Sequence, residues 1–576
     1  MPPELTDDQK TLVGTHGSLF AEACPGAGKT RAIAARFLKR TAEEPRRGIA
    51  LLSFTNAAVD EAKIRCAGQP KALQAPHFVG TFDSFINRFI TRPLYVRYYQ
   101  QTPRFVASWA GLPTASFRLK DVERVPNFEL DWFEFDSKLR AKPPNIPPAQ
   151  AGLLEPVVAG HQQELLERAS RLCRGLVARG LLSASASRAL AAYYLGRDET
   201  AELIGRLLAL RFTEVIVDEA QDCGPEELMV LELLRRFKVA IVAVADPDQA
   251  IFEFRRADPK GLRNFAATLG PSLSLDGNFR STPAICALNT SLRQSKRAEK
   301  PEGKHKSLTT PVQIVGFRSS KGLRGRVEQL IARHGLASAD VIFVAHRTSD
   351  ARNHAGAHEM PVRTANPVLR IAWAHSAIRS AASSGRQRLR AIELVERILR
   401  RVARAEGDSG DLGLESVDER WLREAAIRLA TSLDPAGLTA GQYAERVRQH
   451  LQQVEWPSGV GLIDRLGSIM RAPKPAEWQT SDRDPGLFKW ATIHSVKGQE
   501  FPGVVVVLPS GLLKGKDDSL HAIDHWERQT GSEYRRVLYV GASRAQKLLI
   551  LAVHRNHLQR VINLMERDGV PYELHH

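Results

Sequence analysis

Short runs of β-branched and small apolar residues, each too brief for a buried helix, recur along the chain and are followed by stretches with a helical repeat. The first runs are Gly17–Cys24, Gly48–Asn56 and His77–Phe82, and the pattern resumes at Glu214–Ala220, Ala240–Asp246 and Ser272–Asn278. A second set covers Pro311–Phe317, Asp340–His346, Phe488–Ser495, Gly503–Ser510 and Leu548–Val553. Strands alternating with helices predict parallel sheets covered on both faces, and two sets predict two α/β domains.

A long helix-like stretch interrupts each set. Residues 88–205 are rich in Leu, Ala and Arg, with a break at Pro143-Pro144-Asn145-Ile146-Pro147-Pro148. Residues 356–485 hold the stripe Ile392, Val395, Leu399 and Val402, one face of an amphipathic helix. Its other faces carry Arg386, Arg388, Arg390, Arg397, Arg400, Arg401 and Arg404, which suit either a phosphate-contacting helix or a solvated face. Arg293–Lys306 reads as a flexible basic linker. No tandem repeat or long low-complexity tract is present.

The chain has 576 residues, enough for about four domains, and its 43% hydrophobic and 25% charged composition suits a folded chain. No apolar run approaches the roughly 18–20 residues of a membrane span; the longest β-rich run is Val504–Leu508. The start carries acid where a secretory signal carries base, and no membrane partner is expected. Five cysteines without a C-x-x-C pair exclude a disulfide scaffold and point to a reducing cytoplasm. The net charge of +17 favours polyanions, nucleic acid first, although general solubility explains such a charge as well.

The sharpest local signal is Ala23-Cys24-Pro25-Gly26-Ala27-Gly28-Lys29-Thr30, which follows a predicted strand and opens a helix at Arg31. Glycines let successive backbone N–H groups curl around phosphate oxygens, and the helix start adds partial positive charge. In such a loop Lys29 reaches the β- and γ-phosphates and the Thr30 hydroxyl binds Mg²⁺. Ala23 stands where the strict pattern has Gly. Val215-Ile216-Val217-Asp218-Glu219 supplies two carboxylates at a strand's carboxyl edge, where doubly wound sheets bind ligands. Asp218 is the candidate Mg²⁺ ligand and Glu219 the residue that polarises the attacking water. The roughly 190 residues between Lys29 and Asp218 are too many for consecutive βα units of about 30, which requires the insertion over 88–205.

With these motifs in order, the chain resembles the UvrD/Rep/PcrA group of superfamily 1A helicases. Leu5-Thr6-Asp7-Asp8-Gln9 is similar to the adenine-reading Q motif, with Gln9 as reader. Ser53–Ala58 and Gly80–Phe85 are similar to motifs Ia and Ib, which in the family touch single-stranded DNA; the matching residues are Thr55, Asn56, Thr81 and Phe82, and Asp83 replaces the usual His. Ala245–Arg255 resembles motif III, implying that Gln249 senses the γ-phosphate, Phe252 and Phe254 stack on bases, and Arg255 couples the two sites. Asn278–Thr282 resembles motif IV, with Phe279 against adenine and Arg280 on the γ-phosphate. Thr492–Phe501 resembles motif V, with Thr492 and His494 on DNA and Glu500 on the nucleotide side. Tyr539–Ala545 resembles motif VI, with Arg544 as second arginine finger.

The resemblance implies two RecA-like P-loop domains with parallel sheets, each interrupted by a mainly helical insertion. The first RecA-like domain is expected over 1–87 and 206–278, its insertion over 88–205, the second over 279–355 and 486–576, and a shortened insertion over 356–485. Residues 24–31, Gln9, Phe279, Arg280, Glu500 and Arg544 form the implied nucleotide set, with ATP between the two domains and Mg²⁺ as cofactor. The implied activity is ATP-dependent 3′→5′ movement on single-stranded DNA or at single-strand–duplex junctions. A second expectation is an ATP-driven DNA sensor that controls a nuclease or other repair or defence protein, as in Gabija-type anti-phage systems. The short 356–485 segment and the chain end soon after motif VI favour that alternative. An RNA-acting helicase is a third reading.

Overall fold

The computed structural model describes residues 4–44, 46–109, 112–119, 122, 127–146, 148–251, 258–295, 297–356, 366–379, 385–405, 419–474, 478, 488–512, 520–529 and 531–575. They form two units, residues 1–279 and 280–576.

The first unit is built on a six-stranded sheet of β1 (Leu19–Ala23), β2 (Gly48–Ser53), β3 (Phe78–Thr81), β4 (Phe212–Val217), β5 (Ala240–Ala245) and β6 (Ser272–Leu275). The spatial order is β6-β1-β5-β4-β2-β3, parallel at every pairing. Burial on both faces explains why β2 and β5 are nearly continuous apolar runs rather than alternating ones. Among the helices, α1 (Asp7–Gly14) and α2 (Lys29–Glu43) flank β1, and α3 (Asn56–Cys66) follows β2.

The insertion lies between β3 and β4. It opens with α4 (Phe82–Ile86) and α5 (Arg92–Tyr99) and continues with short strand pieces over 104–129. It closes with α6 (Pro148–Ala178), α7 (Ala184–Leu195) and α8 (Asp198–Arg211). The Pro-rich break ends where α6 begins, as proline at a helix start allows. Helix α6 itself departs from helical geometry at His161.

The second unit has a six-stranded sheet of β7 (Val312–Phe317), β8 (Val341–Ala345), β9 (Lys489–Thr492), β10 (Phe501–Val507), β11 (Ala545–His554) and β12 (Tyr572–His575), ordered β9-β8-β10-β11-β7-β12 and again all parallel. Numbered by position within each sheet, both follow the order 6-1-5-4-2-3. Helix α9 (Ser320–Arg333) follows β7. Between β8 and β9 lies a second insertion, whose helices α10 (Pro367–Arg379), α11 (Gly385–Val402), α12 (Glu419–Ser432) and α13 (Ala440–Gln453) share one core. Val395, Leu399 and Val402 of the α11 stripe are fully buried there. Arg388, Arg390, Arg397, Arg400 and Arg401 are exposed, and the side chains of Arg386 and Arg404 lie outside the described residues. Glu533–Ala542 forms α14, which precedes β11.

Two expectations need correction. The expected linker Arg293–Lys306 packs into the second unit instead. Arg293 is 1% exposed, and the Glu299 carboxylate is buried, accepting bonds from Asn289 Nδ2 at 3.0 Å and the Tyr539 hydroxyl at 3.2 Å. A basic run hid one acid that buried donors required. Strand β12 was not expected at all. Its four residues are half-buried at the sheet edge, where short, polar strands are common.

Candidate nucleotide and nucleic-acid site

The phosphate loop leaves the carboxyl end of β1 and turns through Gly26 (φ 72°) and Gly28 (φ 70°), both left-handed, so glycine is needed at each. A Cβ at Gly28 would also come within 2.8 Å of Gln9 Nε2. Gln9 is 2% exposed and closes a capping box with Thr6 at the start of α1. Its Nε2 donates to the Ala27 carbonyl at 2.8 Å, tying α1 to the loop. Cys24, Pro25 and Ala27 are buried, while Gly26, Gly28, Thr30 and Arg31 are half-buried along the loop and first turn of α2. The Phe279 N–H donates to the Gly26 carbonyl at 2.9 Å, which brings this residue to the same loop.

Lys29 is buried, with Nζ 3.5 Å from Glu219 Oε1. Burial alone would depress its pKa, but Glu219, Asp246 and Asp218 outweigh it and hold the ammonium above its ordinary value. Asp218 is pushed the other way for a carboxyl, up to about 7, by burial first and then by Glu219, against the pull of Lys29. Its Oδ1 accepts the Glu219 N–H at 3.0 Å. Glu219 is a non-glycine residue at φ 56°, a conformation held by its surroundings.

Behind these lies a bridge that the sequence pattern did not assign. Gln221, with no exposed surface, donates from Nε2 to Glu219 Oε2, and its Oε1 accepts the Asp246 N–H at 3.0 Å. Asp246 in turn accepts from Gln249 Nε2 at 2.8 Å and from the Asp248 N–H at 3.1 Å. Glu219 at the end of β4 and Gln249 after β5 are thus joined through two side chains. The available signal was a polar pair in the turns after two apolar strands, Gln221 four residues beyond β4 and Asp246 directly after β5. Beneath the loop, Arg36 of α2 forms a buried two-pronged ion pair with Glu214 of β4, both contacts 2.7 Å, and donates to the carbonyls of Leu12 and Thr15. Arg36 shares the inward face of α2 with Ile33 and Phe37, which was its sequence signal.

Among the residues expected on the nucleic-acid side, Thr55 and Thr81 are helix caps, their hydroxyls accepting from Ala58 N at 3.2 Å and Ser84 N at 3.1 Å. Asn56 is exposed beside Thr55. Phe82 requires correction: it is 1% exposed in the core, where no base can reach its face. Half-buried Phe54 stacks on it, with ring centroids 5.7 Å apart. Asp83 pairs with Arg188 of α7 at 2.5 Å. Phe252, Phe254 and Arg255 lie outside the described residues.

In the second unit, Thr492 ends β9 and its hydroxyl donates to Ser495 Oγ at 3.1 Å. His494 Nε2 lies 3.8 Å from Glu533 Oε1, and its ring is 5.5 Å from that of His346 at the end of β8. The opposite, amino edge of this sheet carries Glu500 and Arg544, before β10 and β11. Arg280 binds Glu500 at 2.7 Å and the Ser543 carbonyl at 3.0 Å. Burial acts to raise the Glu500 pKa, but Arg280 and Gln546 overcome this and hold it below its usual value. The Arg544 guanidinium is 2% exposed and donates to the carbonyls of Val540 at 3.0 Å and Gln499 at 3.3 Å and to Ser543 Oγ at 2.8 Å. Arg280 and Arg544 therefore meet around Ser543, both engaged with protein groups.

Among the described residues, no group of three or more His, Cys, Asp or Glu could hold a metal by itself. A divalent cation at Asp218 and Thr30 would take its other ligands from phosphate and water, the habit of Mg²⁺. The raised Asp218 pKa fits that role, because a cation repays the cost of a buried negative charge.

A phosphate loop on the first strand of a 6-1-5-4-2-3 parallel sheet, with an Asp–Glu pair two strands away and a second sheet of the same order, defines a protein with two RecA-like domains. The chain belongs to the UvrD-like helicase family. Residues 5–126 and 162–269 match the UvrD/REP helicase N-terminal domain, and residues 479–556 the UvrD-like helicase C-terminal domain. Phe279 and Arg280 lie between the matched segments, while Thr492, His494, Glu500 and Arg544 lie inside the last.

The chain is similar to the ATP-dependent DNA helicase YjcD of Bacillus subtilis strain 168, 24% identical over 307 residues that make up 50% of this chain and 38% of that protein. The ATP-dependent DNA helicase UvrD2 of Mycobacterium tuberculosis H37Rv is 24% identical over 361 residues, 59% of this chain and 47% of the relative. RecBCD enzyme subunit RecB of Escherichia coli K12 is 29% identical over 91 residues, 16% of this chain and 8% of the relative. The chain spans less than half the length of each of these proteins. No helix among the described residues is long and apolar enough to cross a membrane.

Proposed function

We propose that this chain hydrolyses ATP to move 3′→5′ along single-stranded DNA and to open duplex at a junction. The observation that carries the reading is buried Lys29 beside Asp218 and Glu219 at the phosphate loop of a UvrD-like helicase chain. Lys29 and the loop N–H groups hold phosphate oxygens, and Asp218 and Thr30 hold Mg²⁺, whose charge neutralises the phosphates. Glu219 takes the proton of the attacking water. Gln249, linked to Glu219 through Gln221 and Asp246, senses the terminal phosphate. Arg280 and Arg544 stabilise negative charge on the phosphoryl group in flight, a role worth ~10³–10⁵ in rate for an arginine finger. Gln9, Phe279 and Glu500 complete the nucleotide set. Thr55, Asn56, Thr81, Thr492 and His494 grip the strand, joined by Phe252, Phe254 and Arg255, and Phe54 takes the place first given to Phe82. A cytoplasmic setting agrees with five buried cysteines, none in a disulfide.

Strand displacement on 3′-tailed, 5′-tailed and blunt duplexes with ATP and Mg²⁺ tests this directly. Unwinding of the 3′-tailed substrate that Glu219→Gln abolishes is the expected result. Selective unwinding of the 5′-tailed substrate would reverse the polarity. The partial likeness to RecB, a subunit of the RecBCD enzyme, favours a second reading. In it the chain is an ATP-driven DNA-sensing subunit of a nuclease or anti-phage complex, and DNA-stimulated ATP hydrolysis without displacement on any of the three substrates would select it.

A further inference from the structure

Because the two sheets share one strand order, each position on the first has a counterpart on the second. The turn after strand 1 of the first sheet is the phosphate loop. Its counterpart is the turn after β7, where Arg318 and Ser319 lead into α9. A cavity of about 270 Å³ opens there, with Gly316, Arg318, Ser319, Gly322, Arg326 and Arg555 in its wall. Its lining holds three guanidinium groups and no carboxylate.

The fold explains this clustering. Phe317 of β7 lies opposite His554 of β11, so Arg318 and Arg555 leave neighbouring strands side by side, about 4.8 Å apart in backbone spacing. Ser319, Gly322, Leu323 and Arg326 follow a helical i, i+3, i+4, i+7 repeat, which brings Arg326 onto the same face. The side chains of Arg318 and Arg555 are exposed and make no hydrogen bond or ion pair among the described residues, while Arg326 engages Gln329 at 3.2 Å among other groups. Like charges around one hollow repel each other unless an anion lies between them. Arginine's planar fork matches phosphate oxygens, and the pair from adjacent strands can grip two of them. The volume is below the ~300–1,000 Å³ of pockets that enclose drug-sized ligands, so it suits a phosphate group with its sugar rather than a whole nucleoside triphosphate.

We infer that the hollow at the carboxyl end of β7 is a second phosphate-binding site, built from Arg318, Arg326 and Arg555 at the position equivalent to the phosphate loop. Its ligand is a phosphate group, from a nucleic-acid backbone or from free phosphate. This goes beyond the ATPase reading and does not depend on it.

The test uses the full chain and Arg318→Gln/Arg555→Gln. Affinity for a single-stranded oligonucleotide is measured across a salt series, and melting with and without inorganic phosphate. A backbone phosphate at the site predicts several-fold weaker oligonucleotide binding at low salt and a log–log salt slope shallower by about 0.7, the share of one neutralised phosphate on a single strand. A free phosphate predicts that inorganic phosphate raises the melting temperature of the wild type by more than that of the variant, which keeps the phosphate loop. Either outcome supports the site and names the source; no difference between the two proteins in either reading overturns it. Basal ATP hydrolysis should be unchanged in the variant, which also reports that it folds. Should the double variant fail to fold, Arg555→Gln, one exposed change, carries the same two readings. The difference made by replacing Arg318 and Arg555 should persist in a Lys29→Ala background, so failure of the ATPase reading and failure of this site appear in different variants.

Discussion

At Glu219 a side chain sits on a left-handed backbone, 3.5 Å from Lys29 and braced by Gln221. Lys29→Ala should lose both ATP hydrolysis and nucleotide affinity, since a direct phosphate contact disappears. Glu219→Gln should lose hydrolysis and keep affinity, since the phosphate and cation contacts persist. Nucleotide-binding titrations beside a phosphate-release assay separate the two, and wild-type turnover in both would refute the site. Gln221→Ala should lower kcat more than it raises KM, because it removes the brace on Glu219 and the side-chain partner of the buried Asp246 N–H, at a cost of about 1–3 kcal/mol. An effect confined to KM would contradict that role. Asp218 adds a pH dependence. Its folded-state pKa lies above the unfolded carboxyl value, so its contribution to apo-protein stability is complete below about pH 4 and is lost as the pH rises through about 7. The charged form is the cation ligand, so Mg²⁺ affinity should climb from about pH 6 to about pH 8, on either side of that pKa. Calorimetric titration across that range checks the slope, which Asp218→Asn should flatten.

At the scale of elements, α1, α2 and β4 are locked by Arg36, whose guanidinium meets Glu214 and two carbonyls from the end of α1. Removing one partner of a buried ion pair typically costs about 3–5 kcal/mol, because the other charge stays buried and unpaired. Glu214→Ala should therefore lower the melting temperature markedly and weaken nucleotide binding with it, as α2 carries Lys29 and Thr30. A loss of stability under about 1 kcal/mol in a chemical denaturation series would show that water takes the place of the carboxylate. The strands and the phosphate loop were legible because strand, turn and helix are local, and their residue types state the backbone they need. Arg36–Glu214 was not, since its partners are 178 residues apart. Phe82, expected on the DNA by its place in a motif, is instead buried against Phe54, a packing that the motif alone does not state.

At the scale of the molecule, the residues of the proposed nucleotide chemistry are spread over both units, with Lys29 and Glu219 in the first and Arg280 and Arg544 in the second. If both arginines act on the transition state, replacing either by Ala should depress kcat by orders of magnitude with little change in KM. Lysine should rescue poorly, because a point charge does not reproduce the planar fork. Steady-state kinetics of the four variants tests this, and an effect confined to KM would move the arginines to ground-state binding. The present engagement of Arg544 with Val540, Gln499 and Ser543 makes its substitution the stricter test, so melting curves should accompany the kinetics.

The amino-acid sequence by itself determined the two main sheets, eleven of their twelve strands and the order of the motifs, because each is written in local periodicity and turn chemistry. The tertiary structure alone decided that both sheets share one order, which depends on β12, a strand too short and polar to announce itself. It also decided that Gln221 and Asp246 join two strand ends, that Glu299 anchors a basic segment to the second unit, and that Arg318 and Arg555 stand together. Each of these is a pairing between distant residues, and a pairing is a property of register and packing, which no single stretch of chain encodes.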